Sequence, residues 1–348
     1  MCTKFPKIQK VKDVLKAVDD LDNPELPGLI PLTGTVKLHG MHADIVVHRN
    51  NRITLQSRNL LDLDLKNDVI GFAQFMHPLT KEILMLRDKY HARFKELNPG
   101  VEISPQYPLI IAGEFIGKGI QKKVAISDLS KRFVILTASI NSTRLPDAEY
   151  SDIHIESAGI YNVYRAGSYT HTIDRNNLEA SMETIQKLTM EVEKECPFAK
   201  TFGISGIGEG IVWKCLPPLP SNSEFWFKTK GPLHAQTEPV NKSAKHLAGK
   251  EKATVFANLI ASKMRLEQGW NYLAETGVKQ DKKATGAFLK WVVQDCEAEE
   301  KLEMKELDIK MELLRPEISK IAQKWFTGRV LEKEKDDGLA AKLEATSI

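Results

Sequence analysis

GTVKLHGMHADIVVHRNNRITLQSR, residues 34–58, holds three short apolar runs at 34–38, 43–48 and 52–57. Each is rich in Val, Ile and Leu, which suits a half-buried pleated surface, so each reads as a β-strand. Arg49, Asn50 and Asn51 separate the second run from the third. Asn tolerates the positive φ that a tight turn needs, so these two runs are expected to form an antiparallel hairpin. Lys37 and His39 lie two apart at the end of the first run and share a face, and Gly40 permits close approach of a ligand or of backbone.

Working outward, further strands are expected at 108–115, 133–140, 210–214 and 225–230. Helical spacing appears at Ile83, Leu86, Tyr90 and Phe94, and again at Leu178, Met182, Ile185, Leu188 and Val192. From about Ser243 the pattern changes. One stripe runs through Val255, Leu259, Ile260, Met264 and Trp270, followed by Phe288, Trp291 and Val292, then Leu314, Ile318, Ile321 and Trp325. The reading is an α+β chain: an antiparallel-sheet domain over 1–240, an all-helical domain over 241–330 and a polar, frayed tail over 331–348. The stretch 144–198 receives no role beyond a covering helix and loops.

Composition narrows little. The 348 residues carry 42% hydrophobic content and a net charge of +3, ordinary for a globular chain and too small to diagnose a polyanionic partner. No run reaches the roughly 20 apolar residues of a membrane span, and the start lacks a secretory core, so a cytoplasmic or nuclear protein is expected. Cys2, Cys196, Cys215 and Cys296 show neither CxxC pairing nor metal-ligand spacing with histidines. The stretch 242–290 holds ten Lys or Arg against four acids. A solvated helix face explains that as well as a phosphate track does.

Four clusters carry chemistry. The first is Lys37-Leu38-His39-Gly40. The second, GEFIGKGIQKK at 113–123, follows the apolar run PLIIA and places Glu114 at the rim of a sheet. It matches neither a Walker loop nor a dinucleotide fingerprint. The third is GEGIVWK, with Glu209 opening a strand that Lys214 closes. The fourth, FWFKTKG, sets Lys228 and Lys230 on one face and Phe227 on the other. Two adjacent like charges cost energy unless an anion lies between them, so a solvated edge strand and an anion site are both open.

Together, in this order along the chain, the four clusters resemble the covalent nucleotidyltransferases, and most closely the phage RNA ligase 2 family of ATP-dependent RNA ligases. KLHG resembles the nucleophile motif of that family, and ITLQSR the region of an essential arginine, here Arg58. The resemblance covers about residues 30–235. It implies an antiparallel-sheet nucleotidyltransferase (ATP-grasp-like ligase) domain followed by a helical domain. It also implies a covalent AMP on Lys37, ATP and Mg²⁺ (with Mn²⁺ able to substitute) as cofactors, and RNA, as a nicked duplex or as ends, for a partner of a monomer with no membrane. His39, Arg58, Lys228 and Lys230 would serve catalysis with Lys37. Gly40, Arg58, Glu114, Phe133, Leu136, Glu209, Lys214, Lys228 and Lys230 would bind the nucleotide, and Glu209 the metal. Two positions depart from the pattern. Met41 and His42 follow the nucleophile motif where a small residue and Asn are usual, and Leu136 stands where an aromatic stacks on the base, with Phe133 the nearest aromatic. An mRNA-capping guanylyltransferase or DNA ligase would share the lysine chemistry but carry an OB domain. A nucleic-acid-binding protein without catalysis is the alternative from another class.

Overall fold

The computed structural model describes residues 5–6, 8–21, 28–234 and 249–346, with side chains through 337. Cys2 and residues 242–248 of the basic stretch lie outside the described residues. The chain divides into two compact units, Met1–Leu233 and His234–Ile348.

The first unit runs α1 (Val11–Asp19), β1 (Leu29–Lys37), β2 (Met41–Val47), β3 (Ile53–Ser57), α2 (Phe72–Met76), α3 (Thr80–Leu97), β4 (Leu109–Ile116), β5 (Arg132–Ile140), β6 (Thr143–Arg144), β7 (Ile160–Asn162), β8 (Tyr169–Asp174), α4 (Leu178–Lys194), α5 (Pro197–Lys200), β9 (Gly210–Cys215) and β10 (Trp226–Lys230). These strands form two sheets. One is four-stranded in the order β10-β9-β1-β8, and the other runs β3-β2-β4-β5-β6 with β7 parallel to β5.

The expected hairpin joins β2 to β3, with Asn51 at φ 65° and the His48 and Asn51 amides closing the turn. In β2, alternate residues Met41, Ala43, Ile45 and Val47 enter the core under α2 and α3, where Ile83, Leu86, Tyr90 and Phe94 are the buried residues of α3. Period-two alternation sends His42 and Asp44 to the opposite face. In the four-stranded sheet, Ile30, Leu32, Val36, Ile211, Trp213 and Phe227 join one core with Ile185 and Val192 of α4. Fully burying each such side chain contributes about 1.5–3 kcal/mol. Thr229 Oγ1 ties the same interface, 2.7 Å from Thr189 Oγ1 and accepting from Trp213 Nε1 at 3.1 Å.

Two differences from the sequence reading have clear causes. The stretch 144–198, assigned only a helix and loops, supplies β8, which pairs with β1 from Leu29↔Asp174 to Gly34↔Tyr169. Its sequence, YTHTID, puts just one large aliphatic side chain in six residues, so the hydrophobic signal is weak. Glu114 lies inside β4, opposite His42, rather than at a rim.

The second unit runs α6 (Gly249–Ile260), α7 (Lys263–Glu275), α8 (Thr285–Glu299), α9 (Lys301–Glu306) and α10 (Met311–Thr346). The stripe from Val255 to Trp270 spans two helices, because Ser262 caps α7 with its hydroxyl at the Arg265 amide. Buried Arg265 then donates to the Ile260 carbonyl at the end of α6 (2.7 Å) and to Glu300 (2.7 Å). Phe256, Phe288, Leu314, Ile318 and Phe326 fill this core. The backbone of α10 stays helical to Thr346, into the segment expected to fray.

Gly113 of β4 is a sensitive point in the first unit. A Cβ there would lie 2.5 Å from the Val134 carbonyl oxygen and also strike the Phe133 ring. Gly113→Ala is expected to destabilise this unit by about 1–3 kcal/mol through overpacking, read as a fall in its thermal midpoint.

Candidate active site

Register brings the charged residues together. Lys37 of β1 and Lys230 of β10 both lie opposite Gly210 of β9, which separates them by two strand spacings. That is roughly 10 Å between backbones. Gly210 puts no side chain between them, and a Cβ there would collide with the Thr229 carbonyl. Glu209, one residue earlier, fills the gap with its carboxylate. Its Oε2 lies 2.7 Å from Lys37 Nζ and 3.5 Å from His39 Nδ1, and its Oε1 lies 2.8 Å from Lys230 Nζ. Glu209 is 1% exposed. Burial works against its charge, yet Lys230 and Lys37, with help from His39, hold the carboxyl well below the usual carboxylate range.

Glu114 enters from the other sheet. Its Oε1 accepts the Gly40 amide at 2.9 Å. Burial pushes its carboxyl above the usual range, against the pull of Lys37 and His42 and with Glu209 adding to the rise. Gly40 is required here by protein rather than ligand, because a Cβ would meet the Phe115 carbonyl and Ile116 Cγ2.

Around this cluster lie Asp147, Trp226, Arg144, Phe5, Asp44 and Thr137, which sequence reading did not single out. Lys214 pairs with Asp147 and sits 3.8 Å from the Trp226 ring centroid. Arg144 lies over Trp226 (4.8 Å) and Phe5 (5.1 Å), and Phe5 packs 4.5 Å from the ring of His42. His42 Nε2 is 2.9 Å from Asp44 Oδ1. Thr137 Oγ1 is buried without a hydrogen-bond partner among the described residues. The one available sequence signal was Asp44, a charge inside an otherwise apolar strand run.

Lys37, His39, Gly40, Glu114, Glu209 and Lys230 therefore converge. Lys228, opposite Val212, projects from the same face of the four-stranded sheet as Lys230. Arg58 is exposed just beyond β3, makes no side-chain hydrogen bond or ion pair among the described residues, and follows Ser57, the partner of Ala43. Phe133 is a correction. It pairs with Phe115 on the opposite face of the sheet from Glu114, is fully buried, and packs 5.6 Å from Phe72, so it is a core residue and not a surface for a base. Leu136 falls at the β-bulge of β5 and is half-buried against the core that holds Val134 and Trp213.

A family profile described as RNA ligase matches residues 30–230, more than half of the chain. The chain belongs to the RNA ligase family. Similar solved structures include three of Naegleria gruberi RNA ligase. A lysine-to-alanine mutant with ATP and Mn and a lysine-to-methionine mutant with AMP and Mn are each 14% identical, covering 67% of this chain and 58% of that chain at a TM-score of 0.40. The enzyme with PPi is 15% identical, with the same coverages and a TM-score of 0.41. This chain thus spans less than two thirds of the length of those ligase chains. A search of curated proteins finds no match.

Within this cluster the buried carboxylate sets the expected response to mutation and acid. Glu209→Gln leaves Lys37 and Lys230 facing an amide. Loss of a buried partner costs roughly 3–5 kcal/mol, and partial exposure of the lysines reduces this to about 2–3. Because the folded-state carboxyl is depressed, its contribution is fully present above the ordinary value of 4.5 and is lost as pH falls through the lower native value. Denaturant titrations should show a wild-type advantage that is constant above that pH and shrinks below it.

Proposed function

We propose that this chain is an ATP-dependent RNA ligase that joins a 3′-hydroxyl to a 5′-phosphate through AMP carried on Lys37. The single observation that carries this reading is the Lys37–Glu209–Lys230 constellation, with Glu114 fastened to Gly40 beside it.

In the first step Lys37 Nζ attacks the α-phosphorus of ATP, an N–P bond forms, the bond to the bridging oxygen breaks, and pyrophosphate leaves. An ammonium is no nucleophile, so the proton must leave first. Glu209, kept ionised by two lysines, accepts the Lys37 hydrogen bond but is a poor base, so the proton departs to water. Lys228 and Lys230 bind phosphate oxygens, with Lys214 reaching a further one after leaving Asp147. Glu114 takes a ribose hydroxyl, and the buried Thr137 hydroxyl, without a hydrogen-bond partner among the described residues, is a candidate contact to the base.

Among the described residues no three acidic, His or Cys side chains gather as a resident metal site. The carboxylates present suit Mg²⁺ or Mn²⁺ arriving with the triphosphate, since Mg²⁺ keeps waters and takes one or two carboxylates. Glu209 would hold it, and the metal would neutralise phosphate charge.

In the second step the RNA 5′-phosphate attacks the lysyl-bound AMP, breaking the N–P bond and returning the electron pair to Lys37. In the third, the 3′-hydroxyl attacks the activated phosphate and AMP leaves. His39 and Arg58 serve these later steps. The helical second unit, with its basic stretch, supplies salt-sensitive contact to the RNA backbone. Its helices speak for a ligase of this type over a capping enzyme or DNA ligase.

Incubating the protein with Mg²⁺ and α-labelled ATP or GTP, then running a denaturing gel, tests the reading. Label from ATP alone, resistant to denaturation and absent in Lys37→Ala, is expected. Wild type without label would favour a non-catalytic binding protein, and GTP labelling a capping enzyme.

A further inference from the structure

The loop 117–124, GKGIQKKV, leads from β4 to the rim of this site. It is held at several points. The Lys118 amide donates to the Leu129 carbonyl (2.8 Å), the Ile120 amide to Gly117 (3.2 Å), and the Ala125 amide just beyond it to Ile207 (2.8 Å), two residues before Glu209. Gln121 Nε2 reaches the Gly40 carbonyl at 3.4 Å. Ile120 packs against the core beneath α2 and α3, and Val124 is buried in the other. The loop thus spans from Gly40 to the approach to Glu209.

Its backbone takes left-handed conformations at Gly117, Gly119 and also Lys123, at φ 64°. A long side chain seldom occupies that region, and such positions concentrate where function demands them. The result is three exposed lysines, Lys118, Lys122 and Lys123, none with a side-chain hydrogen bond or ion pair among the described residues. No acid occurs between residues 117 and 127. Arg58, exposed at the same end of the sheet, extends this positive rim.

Pinned, like-charged and uncompensated groups beside a lysine nucleophile fit a polyanion arriving from solvent. We propose that this loop docks the 5′-phosphorylated end of the RNA strand, with Lys118, Lys122 and Lys123 contacting its phosphates. The inference rests on the RNA ligase reading above for its substrate, but its test does not depend on turnover.

The test is titration of the full chain with a short fluorescent 5′-phosphorylated RNA and its 5′-hydroxyl counterpart across a range of salt. For Lys118→Ala/Lys122→Ala/Lys123→Ala, three lost phosphate contacts on a single strand predict a salt slope shallower by about 2 and affinity for the phosphorylated RNA weaker by about tenfold or more at moderate salt. The corresponding triple arginine variant should bind like wild type, and labelling by ATP should stay within about twofold in both. Unchanged RNA affinity and slope in the alanine variant would overturn the proposal, as would an arginine variant that binds as poorly as the alanine one. Equal binding of both RNAs by wild type would overturn the assignment to the 5′ end. Wild type that binds RNA through these lysines but takes no label from ATP would sink the ligase reading and leave the loop assignment standing.

Discussion

One buried carboxylate organises the site. Glu209 sits where water cannot compensate its charge, so it is stable only because Lys37 and Lys230 reach it from strands on either side. That requirement fixes the order β10-β9-β1 and its register, since a slip of one residue would turn either lysine to the opposite face. It also aims the Lys37 side chain across the sheet. Fold and chemistry thus depend on the same contact.

Glycines make that contact possible by giving up side-chain volume at two crossings. Gly210 lets β9 and β10 close up so that the carboxylate, and not another side chain, occupies the gap between the lysines. Gly40 lets the link from β1 to β2 press on β4 until its amide meets Glu114. The second contact joins the two sheets close to Lys37. A residue with a Cβ at either place would push the sheets or strands apart, which explains why small residues sit so close to the charged ones.

Much of this was legible in the sequence because burial and chemistry wrote separate patterns. Strand runs around Lys37, Glu114, Glu209 and Lys230, the Asn51 turn and the buried residues of α3 all followed from local periodicity and turn preference. Convergence of the four clusters came from resemblance, since no local pattern specifies which strands pair. Failures occurred where local signals were weak or shared. β8 alternates small polar residues, the stripe across Ser262 continues in phase through a helix break, and Phe133 has the right residue type on the wrong face. Asp147 was missed because its meeting with Lys214 joins segments far apart in the chain, and Trp226 because only the β9–β10 register sets it across from Lys214.

The charge balance says what a nucleotide must change. Lys37, Lys214, Lys228 and Lys230 face Glu114, Glu209 and Asp147, and burial biases Glu114 toward its neutral form. The surplus of positive charge is therefore small, and a triphosphate exceeds it. Binding must release lysines from their carboxylates, bring in a divalent cation, or do both. Lys214 leaving Asp147 and Lys37 leaving Glu209 are the exchanges the geometry allows, and each frees a carboxylate as it frees an ammonium. Under the proposed ligase reaction a cation taken up by Glu209 would complete that exchange, and the ion pairs that stabilise the sheet would be traded for phosphate and metal contacts.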